Sequence, residues 1–186
     1  DVLKNLCETH GVEYVIAVPH NIVGPRQKYD DPFRNVMSIM LNRMLQGKQP
    51  IIYGDGKQQR CFSYIDDCLY CLNALAFQDN VVGEVINIGP DEEPITINEL
   101  AEACANETGL NLDPIHHKDR PKEVKLAVCS SDKARDLLGY STATNMRQSV
   151  KKTAEYIRTR GTKKFQYHLP LEIINDQTPD TWKKKL

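Results

Sequence analysis

Three arginines in separate parts of the sequence are the best candidates for binding an anion. Arg60 follows the turn Gly54-Asp55-Gly56, Arg120 lies beside Pro121 in a basic loop, and Arg34 stands near the start of a predicted helix. A guanidinium held by its backbone presents two parallel donors to phosphate oxygens. Each charge-assisted bond of this kind stabilises by about 1.5–3 kcal/mol. Taken singly, each arginine is more simply explained as a solvated surface charge.

The sequence contains no recognisable arrangement of residues that would act as a catalytic base. Tyr53 and Lys57 have the Y-x-x-x-K spacing by which a tyrosine base and an assisting lysine share one face of a helix. Here Gly54 and Gly56 lie between them in a turn, so the match is coincidental. The ten glycines also form no G-x-G-x-x-G or G-x-x-G-x-x-G. The turn that cradles a dinucleotide pyrophosphate is therefore missing from this sequence.

The sequence contains no recognisable metal site. Cys68 and Cys71 form a C-x-x-C, but there is no second pair to complete a four-thiolate zinc site. They fall in a predicted helix, so we interpret them as packing residues. His116 and His117 lack a carboxylate at metal-ligand spacing. We assign no catalytic residue and no metal ligand.

Composition excludes several classes of partner. The 186 residues carry 24 basic and 25 acidic side chains, a formal net charge of −1. No global field therefore recruits nucleic acid or an anionic membrane. The apolar stretches are far shorter than the roughly 20 residues that span a bilayer. Reduced thiols and a cytoplasmic location are the simplest expectation.

Short strands alternate with helices, which predicts a small mixed α/β unit instead of a complete doubly wound sheet. The segment 19–32 reads as a loop, and 162–186 has no clear periodicity. Strands are predicted at 14–18 (buried), 51–53, 61–64 and 85–88, with an extended stretch at 112–118. Helices are predicted at 1–10, 33–46 (inward Val36, Ile39, Met40, Met44, Leu45), 66–77 (inward Leu69, Leu72, Leu75, Ala76), 97–107 after a Thr96–Glu99 capping box, 132–138 and 145–160 (inward Val150, Ala154, Ile157).

Four motifs in order resemble one enzyme family. Val18–Gln27 resembles R-P-x-N-V-Y-G-P-R-Q, Ile51–Asp67 resembles I-Y-G-D-G-x-Q-x-R-D-F-x-Y-V-x-D, Gly83–Gly89 resembles G-E-V-F-N-I-G, and Arg120–Val124 resembles R-P-G-D-V. Together they are similar to the C-terminal half of the extended short-chain dehydrogenase/reductase family of nucleotide-sugar epimerases, dehydratases and decarboxylases. The likeness covers roughly residues 1–158.

The resemblance implies a role for each matched position. A diphosphate would be clamped by two arginines, a base would lie beside one strand, and the nicotinamide of NAD would approach the first motif. The implied substrate-binding residues are Asn21, Arg34, Asn35, Ile52, Tyr53, Arg60, Arg120 and Glu123, and the implied cofactor-binding residues are Pro19 and His20. The departures are Val18 for Arg, Val23 for Tyr, Cys61 for Asp, and Lys122-Glu123 for Gly-Asp; the first two leave the identity of the sugar open.

We therefore expect residues 1–160 to be the substrate-binding portion of an NAD-dependent nucleotide-sugar epimerase, with a UDP-sugar as the favoured substrate. Residues 1–31 would be the edge of a Rossmann domain and 161–186 a tail. In the family the glycine-rich segment, main NAD site and tyrosine base precede this region, so the chain alone is expected to be inactive. A 4,6-dehydratase or decarboxylase, or a non-catalytic nucleotide-sugar binding module, remain alternatives. The resemblance also implies a possible homodimer of the full-length parent.

Overall fold

The computed structural model describes residues 1–185, which form a mixed α/β fold as predicted. No helix within these residues is both long enough and apolar enough to cross a membrane. The helices are α1 (Val2–His10), α2 (Val36–Met44), α3 (Ile65–Phe77), α4 (Ile97–Thr108), α5 (Asp132–Leu138), α6 (Met146–Arg160) and α7 (Asp180–Lys184). The strands are β1 (Ile16–Pro19), β2 (Ile22–Val23), β3 (Ile51–Tyr53), β4 (Gln59–Arg60), β5 (Ser63–Tyr64), β6 (Val85–Ile88), β7 (Ile95–Thr96), β8 (Ile115–His117) and β9 (Leu126–Ala127).

The strands form small sheets that connect distant parts of the chain. Parallel pairs join β1 to β6, β2 to β5 and β3 to β8. Strand β4 lies between antiparallel β7 and parallel β9, with Arg60 opposite Ile95 on one side and Ala127 on the other. The pairing of β4 with β9 brings Arg60 close to the loop that precedes β9, which carries Arg120 and Glu123.

Two hydrophobic cores support these sheets. In the first, α2, α4 and α6 pack together, and Val150, Ala154 and Ile157 face inward as predicted. The second lies between α3, α5 and β6 and contains Cys68, Cys71, Leu75, Val81, Ile86, Ile88, Ala134, Leu138 and Tyr140. The first core holds the helices and strands that surround the predicted anion-binding residues.

Local helix signals in the sequence are confirmed. Thr96 accepts a hydrogen bond from the Glu99 amide, and the Glu99 carboxylate accepts one from the Thr96 amide, which completes the predicted capping box of α4. Gly11 and Gly139 end α1 and α5 in the left-handed conformation that favours glycine. These signals depend only on neighbouring residues, so they can be predicted from the sequence alone.

Two predicted buried faces are wrong in part: Leu75 on α3 and Met40 and Met44 on α2 are buried as predicted, but other members of each set are not. On α3, Leu69 is 52% exposed and Leu72 is 38% exposed, whereas Cys68 and Cys71 are fully buried. A buried small thiol packs as an apolar side chain, so the cysteines and Leu75 define the inward face. On α2, the fully buried residues include Met37 and Leu41, which the predicted stripe omitted, whereas Val36, Ile39 and Leu45 are only partly buried.

Several elements differ from the sequence prediction because of tertiary contacts. The predicted strand 61–64 is confined to β5, and the sequence pattern predicts none of β4, β7 and β9, of which β4 pairs with the other two. Strand β1 is not fully buried, since Val18 is 42% exposed where β1 pairs with β6 alone among the described strands. The predicted loop 19–32 contains β2, which forms because β5 pairs with it. The segment after residue 161 ends in helix α7.

The cysteines behave as packing residues. All six are free thiols, and Cys68 and Cys71 lie in the second core. Burial raises the pKa of both thiols to about 11, so they stay protonated at neutral pH. No group of three or more potential metal ligands occurs within residues 1–185.

We expect Arg135→Met to destabilise the fold in a pH-dependent way. Arg135 donates to Glu92 at 2.8 Å and to both carboxylate oxygens of Asp91, joining α5 to the loop after β6. These bonds hold the pKa of Asp91 below its usual value. A carboxyl with a lowered folded pKa stabilises above its unfolded pKa of about 3.9, and the contribution disappears as pH falls further.

Urea unfolding at pH 7 and pH 3 checks this prediction. The midpoint of the variant should be lower than that of the wild type at pH 7, and the difference should shrink at pH 3. An equal difference at both pH values would contradict the electrostatic origin.

Candidate functional site

The predicted binding residues line one cavity of about 230 Å³. Seven of the eight implied substrate-binding residues border it, and Arg34 borders the adjoining cavity. The lining comprises Asn21, Asn35, Val36, Ile51, Ile52, Tyr53, Gln58, Arg60, Phe62, Ile97, Arg120 and Glu123. Residues separated by up to about a hundred positions in the chain thus converge on one concave surface.

A tight glycine turn precedes Arg60 and packs against the loop that carries Arg120. Gly54 and Gly56 have φ values of +67° and +72°, a conformation that side chains rarely adopt. A Cβ at Gly54 would also collide with the Asp119 carboxylate, and one at Gly56 with the Asn98 side chain. This turn therefore lies in close contact with the loop that contains Asp119 and Arg120.

Arg60 is oriented by an ion pair that the sequence does not reveal. Its Nη2 donates to Glu123 Oε1 at 2.6 Å, and its Nη1 donates to the Gln59 carbonyl at 2.7 Å. The two charged side chains are only 17% and 19% exposed. Glu123 therefore fixes the guanidinium plane at the cavity wall.

Arg120 brings a positive charge that no carboxylate within residues 1–185 neutralises through an ion pair. Its guanidinium carbon lies 4.4 Å from the centroid of the Tyr53 ring, a cation–π arrangement. The stacked guanidinium keeps its in-plane donors available for hydrogen bonds. Together with the Arg60–Glu123 pair it leaves the cavity with a net positive charge.

Asn21 and Asn35 are positioned by local hydrogen bonds. Asn21 has φ +42° and its amide donates to the Cys61 carbonyl at 3.0 Å. Asn35 caps α2 by accepting from the Met37 amide at 3.0 Å. Each side chain thus keeps a fixed orientation at the cavity, and the Asn21 amide oxygen makes no bond within the described part of the chain.

Cys61 stands at the position where the family motif has an aspartate. Burial raises the pKa of this thiol to about 11, so the position carries no charge at neutral pH. Glu123 is consequently the only carboxylate that pairs with Arg60 among residues 1–185. The departure leaves Arg60 with one acidic partner.

The residues predicted to contact NAD are engaged within the fold. The His20 amide donates to the Ile88 carbonyl at 2.9 Å, its carbonyl accepts from Ser63 Oγ, and its ring bonds the Ala127 carbonyl at 3.1 Å. Pro19 ends β1 and pairs in register with Ile88. These contacts hold both residues within the fold, and the sequence has no glycine-rich diphosphate cradle, so the residues present do not by themselves fit NAD.

A second cavity of about 210 Å³ adjoins the first and shares Tyr53 and Arg120 with it. Its other walls include Phe33, Arg34, Arg43, Phe165, Thr181 and Trp182. Sequence reasoning missed the last three of these residues, because the tail has no periodic pattern and α7 is five residues long. The single tryptophan of the sequence was the one available signal.

Comparison with known proteins finds similarity to epimerases, dehydratases and decarboxylases. Residues 1–89 match the model of the NAD dependent epimerase/dehydratase family. A putative UDP-glucose 4-epimerase of Methanocaldococcus jannaschii is 32% identical over 160 residues, 85% of this chain and 50% of that protein. A UDP-N-acetyl-alpha-D-glucosaminuronate decarboxylase of Bacillus cytotoxicus is 31% identical over 154 residues, 80% of this chain and 47% of that protein.

Solved structures have the same fold over most of the chain. UDP-glucuronic acid 4-epimerase from Bacillus cereus, in complex with UDP-glucuronic acid and NAD, superposes with a TM-score of 0.78 at 29% identity. The match covers 86% of this chain and 50% of that one. The Thermotoga maritima UDP-glucose 4-epimerase with UDP-glucose gives a TM-score of 0.79 at 28% identity, with the same coverage. The chain spans about half the length of the relatives it matches.

Proposed function

Because this chain belongs to the extended short-chain dehydrogenase/reductase family of NAD-dependent epimerases and dehydratases, we propose that it is the substrate-binding portion of a nucleotide-sugar epimerase. The observation that carries the proposal is the convergence of Arg60 and Arg120 on one cavity together with Asn21. The favoured ligand is a UDP-sugar, whose diphosphate is the anion that two guanidinium groups recognise.

Each wall of the cavity suits one part of such a ligand. Arg60 and Arg120 donate charge-assisted bonds to the two phosphates, which offsets the absence of a net positive charge on the chain. Tyr53, which borders both cavities, offers apolar surface to the base, and Ile52 offers it on the side of the first cavity. The free amide oxygen of Asn21 accepts from a sugar hydroxyl.

NAD supplies hydride transfer in enzymes of this family when it is bound. In this chain Pro19 and His20 would approach the nicotinamide, and the sequence has no glycine-rich turn for the diphosphate. We therefore assign the chain the task of binding and orienting the nucleotide sugar, with no catalytic residue. On its own it is expected to turn over no UDP-sugar.

A nucleotide-sugar decarboxylase is the second candidate, since a decarboxylase from Bacillus cytotoxicus is 31% identical to the chain. Both candidates use the same diphosphate clamp. The non-catalytic binding module makes the same prediction for nucleotide binding and differs only in the absence of turnover by the whole protein.

Isothermal titration of the chain with UDP tests the proposal. We expect binding by the wild type and about 10-fold or greater weakening in Arg60→Ala, since at least one charge-assisted bond is lost. Arg60→Lys should retain part of the affinity, because it keeps the charge but not the planar fork. Equal UDP affinity in the wild type and Arg60→Ala would refute the clamp.

A further inference from the structure

The C-terminal segment 161–185 forms one wall of the second cavity. Phe165, Thr181 and Trp182 border it, with Trp182 against Phe33 and Thr181 bonded to Tyr53. We propose that this segment is a strap that completes the nucleotide site and that Trp182 stacks on the base of a bound pyrimidine nucleotide. The inference rests on the proposed function and adds a binding residue from outside the region of family resemblance.

The start of the strap is held by buried polar groups. Asn42 is fully buried on α2, and its amide donates to the Lys163 carbonyl at 2.9 Å while its oxygen accepts from the Lys163 amide at 3.1 Å. Tyr29 donates to the Gly161 carbonyl at 2.8 Å, and the Gln166 amide donates to the Asp30 carbonyl at the same distance. Displacing the segment would leave the buried Asn42 amide without its Lys163 acceptor, so this hydrogen bond favours a segment that stays in place.

The end of the strap is attached to the nucleotide cavity itself. The hydroxyls of Tyr53 and Thr181 lie 2.6 Å apart, and the Thr181 amide donates to Tyr53 Oη at 3.1 Å. The Trp182 ring meets Phe33 edge to face with centroids 5.0 Å apart. Tyr53, which borders both cavities, is therefore the point where the strap and the proposed clamp meet.

The chemistry of the second cavity fits a planar ring that carries hydrogen-bond acceptors. Its aromatic walls are Phe33, Tyr53, Phe165 and Trp182. Two guanidinium groups, Arg43 and Arg120, border it without a carboxylate ion partner among residues 1–185. Arg43 donates its Nε to the Gln49 carbonyl at 3.1 Å. Aromatic rings stack on a base, and the remaining guanidinium donors suit its carbonyl oxygens.

The sizes of the two cavities support a single extended site. They measure about 230 and 210 Å³, and each is below the roughly 300–1,000 Å³ of ordinary ligand pockets. The two cavities share the lining residues Val36, Ile51, Tyr53 and Arg120, and their combined volume lies within that range. A diphosphate in the first cavity places its nucleoside toward the second.

Isothermal titration with UDP and with inorganic pyrophosphate tests the strap. We expect Trp182→Ala to weaken UDP binding about 10-fold, since a stacked base is lost. Trp182→Phe should stay within about threefold of the wild type, because it keeps an aromatic face. Pyrophosphate affinity should not change in either variant. Ile174→Ala, an exposed position in the same segment, is the matched control.

Fluorescence of the wild type gives an independent readout, because Trp182 is the only tryptophan. Its emission should change with UDP and not with pyrophosphate. If UDP binds in an Arg60-dependent way but neither Trp182→Ala nor the emission responds, the strap is wrong and the clamp stands. Tighter UDP binding by Trp182→Ala would also overturn the strap proposal, because it would mean that Trp182 obstructs the nucleotide site. Absence of UDP binding by the wild type would overturn both.

Discussion

The chain with Arg60 and Arg120 both replaced by alanine is expected to bind UDP at least about 100-fold more weakly than the wild type. Both guanidiniums border one cavity, and each can donate two charge-assisted bonds to phosphate oxygens. The remaining walls are aromatic, apolar or amide groups apart from Glu123, whose carboxylate repels the diphosphate once Arg60 is gone. Isothermal titration measures the loss.

A second variant with the same change in net charge is the control. Lys48→Ala with Lys151→Ala removes two exposed lysines that lie outside both cavities. It should bind UDP within about threefold of the wild type, because surface charges act only through a screened field. Similar losses in the two double variants would mean that net charge, and not the clamp, controls binding.

Leu100→Ala is expected to lower the free energy of unfolding by about 2–5 kcal/mol. Leu100 is fully buried on α4, in the core that α4 shares with α2 and α6. Truncation removes apolar contacts and leaves a cavity that this close-packed interface fills only partly. Urea unfolding followed by circular dichroism measures the change.

Leu69→Ala provides the matched comparison, since it makes the same substitution on a helix at a 52% exposed position. We expect it to cost less than about 1 kcal/mol. A loss equal to that of Leu100→Ala would show that Leu69 is buried, as the sequence pattern predicts and the structure does not.

Several features that depend only on neighbouring residues are predicted correctly from the sequence. The capping box of Thr96 and Glu99, the left-handed glycine after α1 and the strand Ile51–Tyr53 all have local causes. Arg60 and Arg120 were also identified as anion candidates from their local settings. Their convergence required family resemblance, because nothing near either residue encodes the pairing of β4 with β9.

Features that depend on distant contacts could not be read from the sequence. The Arg60–Glu123 pair joins residues 63 positions apart, and the Tyr53–Thr181 contact spans 128. Helix α7 is a five-residue element, too short for hydrophobic periodicity to mark it. The sequence pattern mispredicts the buried face of α3, because it favours the leucines Leu69 and Leu72, whereas the smaller Cys68 and Cys71 are the side chains that pack into the core.

A crystal structure of the chain with UDP tests the central claim most directly. The account predicts phosphate oxygens within about 3 Å of both the Arg60 and Arg120 guanidiniums, with Asn21 near the β-phosphate, where the sugar of a UDP-sugar would be attached. A diphosphate that contacts neither arginine, or binds on another face of the chain, would contradict it.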